Sequence, residues 1–281
     1  MNTTQLSTKF AALGARAKVR PLVPPQVRPL VPPTSRPVLS AVRINIGHDR
    51  RGEFFDIQVA SEARLEVLDL QPRDRHLLLL VRQPPDRPGL PDRKDKFLCG
   101  HDERHWFVAG VPEVAGVSSV VTAKEALKPN LVRELERGQR GPLQRRQRRR
   151  TTTFVRQGEW FFVPVSGVKV VEKWVLRNEP IRRGAGKPHY CEFLYRQGGT
   201  TVYVCGRHPN GLTTEEYKEL LRREPAAVRW RWQVMRRNPL VLVRGRVSHP
   251  DHATIELDGW HRVEMNTEHL SRAQASVAFL D

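Results

Sequence analysis

The chain has 281 residues, with 48 Lys and Arg against 30 Asp and Glu and a formal charge of +18. Apolar residues make up 39% of it, enough to build packed cores and to exclude a chain disordered throughout. Three cysteines are too few for a disulfide-stapled secreted scaffold, and no apolar run is long enough to span a bilayer, the longest being Leu77 to Val81.

A charge of this size concentrates polyanions, because cations that neutralise phosphates release condensed counterions, so nucleic acid is the expected partner. Acidic proteins and anionic membranes share that attraction, and a basic surface kept for solubility would show the same count. Cysteine usage fits a reducing, cytoplasmic setting. The first acidic residue is Asp49, and an acid-poor, Arg-containing leader also fits organellar import.

Residues 19–33 hold an exact repeat, Val-Arg-Pro-Leu-Val-Pro-Pro twice around Gln26. Proline fixes φ and removes a donor, so residues 1–41 are expected to form an extended, basic, Pro-rich arm. Arg20 and Arg28 would let it follow a phosphate backbone or lace neighbouring subunits, and a plain spacer has the same composition. Residues 42–130 then read as a β-rich domain: Phe54 to Val59, Leu65 to Leu70, Leu77 to Val81 and His105 to Val111 are short runs between Gly, Pro and Asp clusters, with a helical turn over Ala123 to Leu127. Pro84 to Pro91 must be a surface loop.

Residues 131–150 carry an arginine block, with Arg145, Arg146, Arg148, Arg149 and Arg150 closest together. Self-repulsion predicts a solvated linker, and such segments order on RNA or DNA, where the guanidinium fork grips phosphate. Residues 151–270 predict an α+β domain, followed by a tail over 271–281. Its expected strands are Glu159 to Val165, Val168 to Val175, Tyr190 to Tyr195, Thr200 to Cys205, Val228 to Val234, Leu240 to Val247, Thr254 to Leu257 and Trp260 to Met265. Its one helix runs from Thr214 to about Arg223, with Thr213 and Glu216 as a capping box and Tyr217, Leu220 and Leu221 as the buried stripe. The fold class is therefore α+β and β-rich: two small, mainly antiparallel β domains, the second with one helix.

Three constellations carry candidate chemistry. If Gln197-Gly198-Gly199 is a hairpin turn, Cys191 and Cys205 face each other with His189 beside them and His208 near, a set that suits tetrahedral zinc or another divalent metal, or simply a pair of buried thiols. His101 and His105 bracket Asp102 and Glu103 at a strand entry and offer acid–base or metal chemistry; a charged loop is the plain alternative. His249 and His252 flank Pro250 and Asp251 between two strands, with His261 on the second, and three imidazoles plus a carboxylate suit a metal-dependent hydrolytic centre as well as an ordinary polar turn. The Arg229-Trp-Arg-Trp run predicts an amphipathic strand whose tryptophans are buried and whose Arg229 and Arg231 join Arg222, Arg223, Arg236 and Arg237 on a phosphate-binding face, where Trp160 or Tyr203 would stack on an unpaired base. No phosphate-cradling, dinucleotide-binding, nucleophile-elbow or His-Glu-x-x-His motif occurs.

These features predict a nucleic-acid-binding protein, RNA favoured over DNA, within a ribonucleoprotein or other nucleic-acid complex and needing no cofactor. RNA is favoured because arginine blocks on extended arms suit irregular surfaces, while no DNA-reading helix is evident. A metal-assisted nuclease or other phosphodiester hydrolase is the alternative, and an assembly protein held together by its arm is a third.

Overall fold

A computed structural model describes residues 3–22, 41–85, 89–139, 141–183 and 186–271. The chain is β-rich, with antiparallel sheets predominating. Its contacts divide it into two compact units: the described residues up to Lys128, with 141–147 and 267–271, form one, and 129–139 with 148–266 form the other. No helix among the described residues is long and apolar enough to cross a membrane.

The first unit begins with α1 (Thr3–Ala11) and β1 (Ala17–Pro21). Residues 3–22 are therefore not an extended arm. Leu6, Phe10 and Leu13 recur at helical spacing and are fully buried, and β1 then pairs in parallel with β3 (Gly52–Val59), which is also paired with β2 (Val42–Asp49). The proline-dense part of the repeat, with Arg28, lies outside the described residues. β4 (Arg64–Gln71), β5 (His76–Gln83), β6 (Arg93–Asp102) and β7 (His105–Val111) form a four-stranded antiparallel meander. β5 explains the uninterrupted apolar run of the sequence: Leu77, Leu79 and Val81 pack with Phe10, Phe55 and Ile57 on one face. Leu78 packs on the other with Val120, Ala123 and Ala126 of α2 (Val120–Ala126), so the strand is buried on both sides.

The arginine-rich stretch is built into the units. α3 (Asn130–Leu135) belongs to the second and α4 (Leu143–Arg146) to the first. In the second unit, β8 (Val155–Gln157), β9 (Trp160–Pro164), β10 (Leu176–Ile181), β11 (His189–Gln197), β15 (Leu240–His249) and β16 (His252–Met265) make a six-stranded sheet in the order β10-β11-β15-β16-β9-β8. Trp160, Phe162, Leu194, Val243 and Val263 fill the core on its inner face; Phe161 and Val163 meet Val132 on the other. β12 (Thr200–Cys205), β13 (His208–Thr213) and β14 (Gln233–Arg237) form a small sheet, with α5 (Thr214–Arg223) between β13 and β14 in the chain.

The Gln197-Gly198-Gly199 segment is not a hairpin turn. β11 pairs with β15 and β12 with β14, in one register that continues through the glycines from Gln197↔Leu240 to Thr200↔Arg237. The two positive-φ glycines bend a long two-stranded ribbon out of one sheet and into the next, opposite Asn238 and Pro239, where proline has no N–H for the ladder. Two expected strands fail as well. Val168 to Val175 contains a 3₁₀ turn at Glu172–Trp174. Over Val228 to Val234 a 3₁₀ turn starting at Pro225 and a positive φ at Arg231 delay the strand to Gln233. The expected strands Thr254 to Leu257 and Trp260 to Met265 are both part of β16.

Candidate metal centre

Three histidines from separate places in the chain meet at one end of the six-stranded sheet. His189 opens β11, His249 closes β15 and His252 opens β16; the last two are register partners across the Pro250-Asp251 turn. The next register pair inward, Tyr190↔Ser248, sets His189 beside His249, and their rings stack at 4.1 Å between centroids. The His249 and His252 rings are 4.7 Å apart, and one ligating nitrogen from each of the three lies within 4.8 Å of the others.

The surroundings fix this end of the sheet. Lys187 clamps the Asp251 carboxylate at 2.8 and 2.9 Å, tying the entry to β11 to the turn, and the Asp251 N–H donates to His249 Nδ1 at 3.1 Å. Gln157, almost fully buried, donates to the carbonyls of Val247 and Ala253 at 3.2 and 2.7 Å and so anchors the β8–β9 turn against β15 and β16. That places Gly158, at φ +57, against the imidazoles: a Cβ there would lie 2.9 Å from His252 Nε2 and 3.3 Å from His189 Nε2. Glycine leaves a cradle at the point nearest both nitrogens.

His189 is 1% exposed, and neither of its ring nitrogens has a hydrogen-bond partner. Burial, and then the positive charges that His249 and His252 would carry, push its imidazole down to about 3. Burial also holds His249 below its ordinary value, with His252 adding to the effect. Neutral imidazole is the form that ligates a metal, and buried polar nitrogens without partners are costly. Three imidazoles suit zinc and its transition-metal neighbours, with a fourth position left for water or substrate. The rings lie nearly parallel, with 23° to 30° between their planes, so the half-buried His249 and His252 would have to turn to aim a nitrogen each at one ion.

The chain matches no known family model, and neither curated proteins nor solved structures give a match.

The centre joins residues that the sequence distributes between two constellations. His189 meets His249 and His252 rather than Cys191, Cys205 and His208. Cys191 and Cys205 lie fourteen residues apart along one bent ribbon strand, Cys191 packing in the core of the six-stranded sheet and Cys205 lying on the small one. His208 stacks near Trp230 and Trp232 at 6.0 and 5.7 Å. His261 stands nine residues along β16 from His252, roughly 30 Å at strand rise, with its Nδ1 2.8 Å from the Gly259 carbonyl. His101 lies edge-on to Trp106, and His105 Nδ1 sits 2.7 Å from Glu53.

Several of the arginines expected to contact phosphate have partners within the chain. Arg20 is paired with Asp56, and Arg222 and Arg223 both with Glu219. Arg150 donates to the Glu256 carbonyl, Arg236 to Gly199 and Arg237 to Asn210 and Gly211. Arg146 and Arg149 are half-buried, and Arg145, Arg148, Arg229 and Arg231 are exposed. Trp160 is wholly buried and unavailable to a base, while Tyr203 stacks on Tyr217 at 4.1 Å.

Proposed function

We propose that this protein acts on nucleic acid through a divalent metal ion held by His189, His249 and His252. The observation that carries the reading is the fully buried, unpartnered His189 imidazole facing two further imidazoles across a glycine cradle. A metal held by these three imidazoles would supply Lewis acidity and lower the pKa of a bound water, chemistry that suits phosphodiester hydrolysis near neutral pH. Arg156, which donates to the Gly158 carbonyl, borders the cradle with positive charge suited to phosphate, and the net charge of +18 draws the polymer in.

The test is metal analysis of the purified protein together with cleavage assays on labelled RNA and DNA. About one zinc or similar ion per chain is expected, with metal and cleavage both lost in His252→Ala and cleavage lost on chelation. Metal without cleavage would support a second reading, favoured by the depth of His189, in which the ion staples β11 to the β15–β16 turn of a non-catalytic nucleic-acid-binding protein. Absence of bound metal after reconstitution with zinc would refute both.

A further inference from the structure

We infer that the outer face of the six-stranded sheet, where Arg177, Phe193, Arg244 and Trp260 alternate across four neighbouring strands, is a docking surface for single-stranded nucleic acid. The inference deepens the reading of nucleic acid as the substrate and rests on it, but it concerns residues outside the metal centre. Arg177 of β10 is the register partner of Phe193 on β11, which is in turn the partner of Arg244 on β15. Both guanidiniums lie over the Phe193 ring, at 5.3 and 5.0 Å, and that of Arg244 also lies 4.9 Å from the Trp260 ring on β16. Leu194, Val243 and Val263 point into the core, so by strand alternation Phe193, Arg244 and Arg262 point away from it.

Three features suit this face to an unpaired strand. Phe193 and Trp260 are half-buried, so part of each ring reaches solvent, and they stand two strand spacings apart, roughly 10 Å, room for a base on each. Among the described residues Arg177 and Arg244 have no ion pair; they are cations held over aromatic rings with no carboxylate to satisfy them. Arg246 and Arg262 lie at the margins, where Glu192, Glu264 and Glu256, the register partner of Arg246, balance them, so the uncompensated charge of the face is that of Arg177 and Arg244. On binding, the guanidiniums turn from the rings to the phosphates and free the ring faces for bases. A duplex hides the faces of its bases and cannot use the rings.

The experiment uses the full chain and fluorescence anisotropy with a labelled oligouridine, an oligothymidine and a duplex of matched length. Single strands are expected to bind about tenfold more tightly than the duplex. Phe193→Leu and Arg244→Gln should each weaken that binding about tenfold, with melting temperature and metal content unchanged. Arg64→Gln, an equal loss of charge from an exposed position on the first unit, should change it by no more than about twofold, and His249→Ala should lose metal but keep the strand. Single-strand binding that persists in both ladder variants, or duplex binding as tight as that of single strands, overturns this inference alone. Failure to bind any nucleic acid overturns it together with the proposed function.

Discussion

The absence of a side chain at residue 158 decides whether three imidazoles can share an ion. Gly158→Ala would place a methyl group 2.9 Å from His252 Nε2 and 3.3 Å from His189 Nε2, in the space an ion would use. Loss of bound metal is expected, together with a backbone cost of about 1 kcal/mol for a non-glycine residue at φ +57. Gly52→Ala separates the two effects: its φ is +95 but nothing lies within 4 Å of the added carbon, so stability should fall while metal analysis stays unchanged. The histidines themselves are visible in the sequence as turn and strand-end residues. Their grouping is not, because His189 reaches the other two only through the β11–β15 pairing, which joins positions about sixty residues apart.

Elements set by local chemistry were legible. α5 begins after Thr213 because that hydroxyl accepts from the Glu216 N–H while the Glu216 carboxylate accepts from the Thr213 N–H. Thr213→Ala should therefore cost about 1 kcal/mol, read as a shift in denaturant midpoint with an unchanged slope. The stripe of Tyr217, Leu220 and Leu221 is only half-buried, since Tyr217 spends its ring on Tyr203 and Trp232 at the side of the small sheet. Elements set by distant partners were misread. The Gly198-Gly199 pair has the composition of a hairpin turn, but Pro239 and Asn238 opposite it make the same glycines a bend, which separates Cys191 from Cys205. The Arg-Trp alternation resembles a strand, yet Trp232 Nε1 donates to the Ala227 carbonyl in the middle of a proline-started 3₁₀ turn.

Over the whole molecule the fully buried His189 and the half-buried His76 tie stability to pH. Burial, with Lys124 adding to it, pushes His76 down to about 4, and His189 is lowered to about 3. Both rings are neutral in the folded chain and take up protons more readily once unfolded, where the pKa is about 6.5. Their contribution is complete above about pH 6.5 and is lost as pH falls toward 4 and then 3, so the unfolding midpoint of metal-stripped protein should decline over that interval. Calorimetry showing no decline between pH 6.5 and 4 would count against both rings being neutral in the folded chain. By itself the sequence determined the β-rich class, the capped helix and the basic charge, since alternation, capping and ionisation depend on near neighbours or on composition. Tertiary structure alone decided that residues 3–22 complete a core, that three scattered imidazoles converge and that arginines and aromatics alternate across one sheet face. Each of those depends on which strands pair, and strand pairing is settled by burial over the entire chain.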